Sequence, residues 1–73
     1  MSVGNEIKRH REKNGLTQEE LARLVCISQG AIMQYERGYK LPSLAMLCRI
    51  ADVLGTTPAA MLEPERANKE AKA

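Results

Sequence analysis

The residues with the clearest chemical potential lie between positions 28 and 38, in the segment SQGAIMQYERG. On a helical wheel of about 100° per residue, one side carries Gln29, Gly30, Met33, Gln34 and Arg37. A glutamine amide can pair bidentately with adenine N6 and N7 in a DNA major groove, and a methionine can contact a thymine methyl. The same residue types are also ordinary helix formers on a solvated surface. This face alone therefore leaves both interpretations open.

The opposite side of this helix is expected to cap and pack it, through Ser28, Ala31, Ile32 and Tyr35. Ser28 is a favourable N-cap, and the helix is expected to cover about 28–36 and to end before Gly38. Only Cys26 and Ile27 separate this cap from the end of the preceding helix. Such a short connection is typical of a helix-turn-helix, and it adds support to the interpretation that this helix reads bases.

The elements that must hold this helix are marked by caps and stops. A first helix, roughly 3–13, is expected to stop at an Asn-Gly pair, which favours a left-handed helix end. In the segment TQEE, Thr17 can cap a second helix while Glu20 reaches back to it. This reciprocal capping box satisfies otherwise unpaired N–H groups, and the second helix is expected to end near Val25.

Two more helices are expected further along the chain. Ser43 caps a fourth helix that Gly55 closes, and Pro58 opens a short fifth helix in the first turn. Their expected apolar anchors are Leu44, Leu47, Ala51 and Leu54 in the fourth and Met61 and Leu62 in the fifth. The last ten residues contain no large apolar side chain. The sequence therefore predicts a domain over 1–63 and a polar tail, frayed or disordered, over 64–73.

Composition limits the fold. The 73 residues are enough for one small domain, and they are 44% hydrophobic and 27% charged, with no Phe or Trp. Because β-branched residues are scattered and no long stretch alternates apolar with polar, we predict an all-α fold with an aliphatic core. The formal net charge is +2, and residues 1–49 hold eight basic and five acidic side chains. This excess is only weak evidence for nucleic-acid binding.

Other chemistry has few candidates. Cys26 and Cys48 have no second Cys or His pair at metal-ligand spacing, so both are expected to be buried thiols in a reducing compartment. With one His, no Ser/His/Asp set and no phosphate-binding glycine loop, we expect no enzyme, metal site or cofactor. The sequence shows neither a signal peptide nor an apolar run of membrane length, so we expect a cytoplasmic protein without a membrane partner.

Residues 18–37, QEELARLVCISQGAIMQYER, resemble the helix-turn-helix of the phage-repressor-type family, also called the lambda-repressor-like or xenobiotic-response-element family. The family's packing positions are filled by Leu21, Ala22, Val25, Ile27, Ile32 and Tyr35. The resemblance extends over 3–62 through the motifs GLTQEELA, ERG, PSL and IADVLG. It implies a compact five-helix domain with the helix-turn-helix at helices 2 and 3, and with the third helix in the major groove.

The resemblance also implies roles for individual residues. Base contacts are implied for Gln29, Gly30, Met33 and Gln34, and phosphate contacts for Thr17, Gln18, Arg37 and Lys40. Gly30 has no side chain and could offer only a closer approach of the backbone. The amide of Gln18 is also expected to brace Gln29. For Arg37 and Lys40, the alternative of solvated loop charge stays open.

Five other positions carry structural expectations. Arg11 and Glu36 are implied to form a largely buried ion pair between the first helix and the end of the third. Cys26 stands where the family usually has glycine, in a turn that often needs a left-handed backbone, at a cost of roughly 1 kcal/mol. His10 replaces a common leucine and is expected to be a partly buried packing residue with no acid or Cys partner. Tyr35 is expected to pack in the core with its hydroxyl at the surface.

The resemblance implies a sequence-specific transcriptional regulator, most often a repressor, that binds a two-fold symmetric double-stranded DNA operator as a homodimer. The dimer contact is expected around the fourth and fifth helices, or in a C-terminal effector or oligomerisation domain outside this sequence. An alternative is a protein-interaction adaptor, such as an antitoxin or a coactivator, because related domains serve in both. Strong binding to a protein without measurable DNA affinity would favour the adaptor.

Overall fold

A computed structural model of the chain describes residues 3–62. In chain order the helices are α1 (Val3–Lys13), α2 (Gln18–Val25), α3 (Gln29–Glu36), α4 (Leu44–Leu54) and α5 (Pro58–Leu62). No strand occurs within this part of the chain, and the predicted all-α, five-helix fold is confirmed. The predicted polar tail, 64–73, lies outside the described residues.

The helix starts follow the predicted caps. The Thr17 hydroxyl accepts the backbone N–H of Glu20 at 3.0 Å, and the Glu20 carboxylate accepts the backbone N–H of Thr17 at 2.9 Å. Ser28 and Ser43 each accept the backbone N–H three residues further on, both at 3.1 Å. Gly55 ends α4 in the left-handed conformation. Local hydrogen bonding thus fixes where α2, α3 and α4 begin.

The core is aliphatic, as the composition predicts. Its buried hydrophobic residues are Ile7, Leu21, Ala22, Val25, Ile32, Leu47, Ile50, Ala51, Leu54 and Met61. Tyr35 packs against the edge of this cluster and is only partly buried. All five helices contribute to the cluster, so α3 is held from one side by the core while its other side stays accessible.

Two predicted apolar anchors are wrong. Leu44 is 68% exposed and Leu62 is 51% exposed, whereas Ile50 is fully buried in α4. Both exposed leucines are terminal residues of their helices. Helical spacing defines one side of a helix, but burial also requires a neighbouring element to cover that side at the given turn. Helical spacing therefore predicted which way these side chains point, but it did not predict whether a neighbouring element buries them.

The prediction that both cysteines are buried is also wrong, because Cys26 and Cys48 are free and exposed. Cys26 lies in the turn after α2, where its left-handed backbone directs the chain toward α3. Cys48 directly follows the buried Leu47 in α4, and one position is about 100° of helical rotation. Apolar neighbours in sequence were therefore a poor guide to burial in these helices.

A glycine allows α1 to approach the end of α3 closely. A Cβ atom added at Gly4 would overlap the backbone carbonyl oxygens of Tyr35 and Glu36. Gly4 is itself buried, so this close approach lies inside the packed junction of α1 and α3. The first turn of α1 therefore helps to set the position of the C-terminal end of α3.

Candidate nucleic-acid interface

The turn between α2 and α3 is built on a left-handed cysteine. Cys26 has φ 62° and ψ 42°, and its N–H is directed to the carbonyl oxygens of Ala22 and Arg23. The N–H of Ile27 donates to the Ala22 carbonyl at 2.9 Å. These bonds satisfy the end of α2, and two residues later Ser28 caps α3. The left-handed backbone expected at Cys26 is confirmed.

The two sides of α3 differ most clearly at Ile32, whereas Ser28, which was expected on the packing side, is exposed. Ile32 is fully buried and Ala31 and Tyr35 are partly buried. The other side presents residues with at least partial exposure, namely Gln29, Gly30, Met33, Gln34 and Arg37. This side offers two carboxamides and one flexible thioether. Its side chains could therefore contact both the polar edges and the methyl groups of bases in a major groove.

Gly30 lies on this accessible side in open space. The nearest atom to an added Cβ would be the Ser28 hydroxyl oxygen, at 3.9 Å, which is an ordinary van der Waals contact. The backbone of Gly30 is not in the left-handed region, in contrast to Gly38 with φ 78°. Neither backbone geometry nor internal packing requires a glycine at position 30. The effect of its missing side chain is therefore confined to the outer surface of α3.

Cationic side chains follow the C-terminal end of α3. Arg37 is the C-cap residue, and Gly38 turns the chain so that the N–H of Tyr39 donates to the Gln34 carbonyl at 2.9 Å. Arg37 and Lys40 are both exposed. Within residues 3–62, neither of these two side chains forms an ion pair. Both charges are therefore available to an anionic partner beside α3.

The N-terminal end of α2 has a weaker positive potential than the helix dipole alone would give it. The Thr17 hydroxyl oxygen already accepts the Glu20 N–H, so its own proton remains as a donor. Glu19 and Glu20 both lie in the first turn. The pKa of the exposed Glu20 carboxyl is lowered, mainly by the hydrogen bond from the Thr17 backbone N–H and then by the Thr17 side chain. These carboxylates compete with a phosphate for the N-terminal end of the helix.

Arg11 and Glu36 form a buried ion pair that joins α1 to the last residue of α3. Arg11 Nε donates to Glu36 Oε2 at 2.6 Å and Arg11 Nη2 donates to Glu36 Oε1 at 3.1 Å. Their side chains are 11% and 3% exposed. A third guanidinium bond reaches the Leu16 carbonyl at 2.8 Å. The hydrogen bond to Glu36 is the main cause that raises the pKa of Arg11.

Gln18 contacts a different partner from the one expected. Its amide nitrogen donates to Glu36 Oε1 at 3.1 Å, and no hydrogen bond joins Gln18 to Gln29 among the described residues. The family resemblance implied that Gln18 braces Gln29 and gave no sign of the bond to Glu36. The two residues are 18 positions apart, and only the packing of α2 against α3 brings them together.

A buried acid in α1 was missed by the sequence analysis. Glu6 is 1% exposed, accepts Arg9 Nη2 at 2.7 Å and lies 3.8 Å from Nε2 of His10. The expectation that His10 has no acid neighbour is therefore wrong, although His10 is partly buried as predicted. Burial, followed by the charge of Arg9, lowers the pKa of His10. The helical spacing of Glu6 to Arg9 and His10 was the signal that could have revealed this cluster.

Residues 3–62 hold neither a cluster of metal ligands nor a membrane-spanning helix. That part of the chain contains no group of three or more His, Cys, Asp or Glu side chains that could hold a metal ion. It also contains no helix with the length and apolar character needed to cross a membrane.

Comparisons with known proteins agree with this geometry. A family model described as helix-turn-helix matches residues 7–61. An uncharacterized HTH-type transcriptional regulator of Methanothermobacter thermautotrophicus is 47% identical over 49 residues, covering 67% of this chain and 71% of that protein. The uncharacterized HTH-type transcriptional regulator YazB of Bacillus subtilis is 36% identical over 63 residues, covering 86% and 91% respectively. The P22 c2 repressor in complex with a synthetic operator has a TM-score of 0.82 and 28% identity, covering 86% of this chain and 96% of that chain.

Proposed function

The chain belongs to the helix-turn-helix family and has its lambda-repressor-like fold, and we propose that it represses transcription by reading duplex DNA with α3 in the major groove. One observation carries the proposal. On one side of α3 Gln29 is exposed and Met33 and Gln34 are partly exposed, while Ile32 on the other side is fully buried. A helix held in this way can enter a groove without disturbing the core.

The proposed contacts divide by chemistry. Gln29 and Gln34 read base edges through their carboxamides, and Met33 supplies an apolar contact. Gly30 lets the backbone of α3 approach the bases closely. Phosphate contacts come from the exposed cations and from the polar groups at the start of α2, namely Arg37, Lys40, Thr17 and Gln18. Phosphate contacts fix the orientation on the duplex, whereas base contacts specify the sequence.

The proposal includes a homodimer on a two-fold symmetric operator. A single α3 offers few base contacts, so one domain alone would bind weakly, and half-sites about one helical turn apart suit two copies. Three large exposed apolar side chains, those of Tyr39, Leu41 and Leu44, lie within six positions of the chain beside the start of α4. They support self-association near the recognition helix, and an operator occupied in this way would block RNA polymerase.

Selection from a random pool of DNA duplexes at about 0.15 M salt tests this function. We expect a two-fold symmetric site to be enriched, with two protein chains bound to each recovered duplex in sedimentation measurements. The double variant Gln29→Ala/Gln34→Ala, which keeps the buried side of α3, is the control and should not enrich that site. If the folded wild-type chain enriches no sequence and instead binds another protein tightly, the adaptor alternative replaces this proposal.

A further inference from the structure

Gln18, the first residue of α2, meets Glu36, the last residue of α3. The amide nitrogen of Gln18 lies 3.1 Å from Glu36 Oε1. Because an ionised carboxylate only accepts hydrogen bonds, the Gln18 amide must direct its nitrogen toward Glu36. That bond uses one of the two N–H donors of the amide. The second N–H and the carbonyl oxygen remain for other partners, and the direction of both is fixed.

Glu36 is itself held in one position. Two bonds from Arg11 fix its carboxylate, at 2.6 and 3.1 Å, and its side chain is almost completely buried. Arg11 also donates to the carbonyl of Leu16 at 2.8 Å, two residues before Gln18. The same guanidinium thus ties down both the end of α3 and the backbone that leads into α2. A side chain bonded to this junction has little rotational freedom.

From these contacts we infer that Glu36 is a positioning residue for DNA binding, which acts by orienting the amide of Gln18. The second N–H of that amide then donates to a phosphate oxygen beside the groove that α3 enters. Since the side chain of Gln18 is already ordered in the free protein, DNA binding does not have to restrict it. This inference rests on the proposed function and adds to it a role for a residue that does not touch DNA.

The phosphate contact is tested with Gln18→Met, which keeps the length of the side chain and removes the amide. We expect affinity for the selected duplex to fall about tenfold, the effect of losing a hydrogen bond to a charged group. The loss should be similar on unrelated duplexes, because a phosphate contact carries no base information. The slope of log affinity against log salt should not change, because a neutral amide releases no counterion. The control Lys40→Met should reduce the magnitude of that slope by about 0.9.

The role of Glu36 is tested with Glu36→Gln in the wild-type and the Gln18→Met backgrounds. Affinities refer to folded protein, with the folded fraction measured by circular dichroism and the active fraction by titration at high DNA concentration. We expect Glu36→Gln to weaken binding in the wild-type background and to have little further effect beside Gln18→Met. An equal loss in both backgrounds overturns the inference, and so does unchanged affinity of the folded single variant.

A measurement on the unaltered chain covers the case in which Glu36→Gln does not fold. Nitrogen-15 relaxation of the side-chain amides should show a restricted Gln18 and a mobile, exposed Gln29 in the free protein. Equal mobility of the two amides overturns the inference. If the wild-type chain selects no duplex, the proposed function fails. If it selects a duplex that Gln18→Met binds equally well, only the positioning role fails.

Discussion

Arg11 and Glu36, 25 positions apart, are joined by two hydrogen bonds of 2.6 and 3.1 Å in a buried site. The pair connects α1 to the last residue of α3, at the same place where Gly4 allows the two backbones to approach. An ion pair and a steric contact thus act on one end of α3. Together they define how α3 is presented to a partner, although neither lies on its accessible side.

Removing one member of this pair should be costly. Glu36→Ala leaves the Arg11 charge buried without its partner, which typically lowers the free energy of unfolding by about 3–5 kcal/mol. Because the Arg11 side chain keeps 11% of its exposure, we expect a value near the lower end, measured by urea unfolding. The control is Glu19→Ala, which breaks the exposed 3.2 Å pair with Arg23 and should cost at most about 0.5 kcal/mol. Similar losses for both variants would show that the buried pair contributes little.

Two glycines in helices should respond to alanine in opposite directions. Gly4→Ala forces a methyl group into the carbonyl oxygens of Tyr35 and Glu36, and such overpacking costs about 1–3 kcal/mol. Gly30→Ala meets only the Ser28 hydroxyl at 3.9 Å and should stabilise α3 by about 0.5–1 kcal/mol. Thermal unfolding compares the two variants directly. We also expect Gly30→Ala to weaken operator binding despite its greater stability, and unchanged affinity would remove Gly30 from the interface.

Replacing the two cysteines by glycine should also have opposite effects. Cys26 has φ 62°, a conformation that costs most non-glycine residues about 1–2 kcal/mol, so Cys26→Gly should raise stability by about 1 kcal/mol. Cys48 lies inside α4, where glycine lowers helix stability by about 0.5 kcal/mol. Chemical denaturation under reducing conditions provides the measurement. A loss of stability in both variants would mean that the thiol of Cys26 makes a favourable contact that outweighs the backbone strain.

Stability should depend on pH through His10. Burial, aided by the charges of Arg9 and Lys13 and opposed by Glu6, lowers the pKa of His10 from its ordinary value of 6.5. The unfolded chain therefore binds this proton more readily than the native protein does. The resulting stabilisation is fully present above about pH 6.5 and is lost as the pH falls through the native pKa.

The difference in unfolding free energy between wild type and His10→Gln, measured from pH 5 to pH 7.5, isolates this effect. Glutamine keeps a polar side chain of similar reach and does not titrate. We expect the wild type to lose stability relative to the variant on the acidic side of pH 6.5. Parallel curves would mean that His10 titrates alike in the two states.

The proposed base and phosphate contacts should separate in binding assays. Gln29→Ala and Gln34→Ala should each change which bases are preferred and cost about 1–3 kcal/mol on the selected operator. Arg37→Ala should weaken binding to all duplexes alike and lower the salt slope by about 0.9. Quantitative competition between duplexes distinguishes the two patterns. Wild-type preference in both glutamine variants would contradict base reading by α3.

The sequence by itself determined the local elements of this protein. The Thr17–Glu20 capping box, the serine caps and the glycine ends use bonds between residues a few positions apart, so their signals are visible in short segments. The two sides of α3 were predictable because helical periodicity separates Ile32 from Gln29. The motifs over 3–62 added the Arg11–Glu36 pair, which no local pattern indicates.

Only the tertiary structure decided which surfaces are covered. Leu44, Leu62 and the two cysteines are exposed because burial depends on neighbouring helices, and hydrophobic type and spacing do not specify these neighbours. The bond from Gln18 to Glu36 likewise needs the crossing of α2 and α3 to bring distant residues within 3.1 Å. Local hydrogen bonds and helical periodicity act within one segment. Burial by neighbouring helices and polar contacts between distant residues exist only after the segments have packed together.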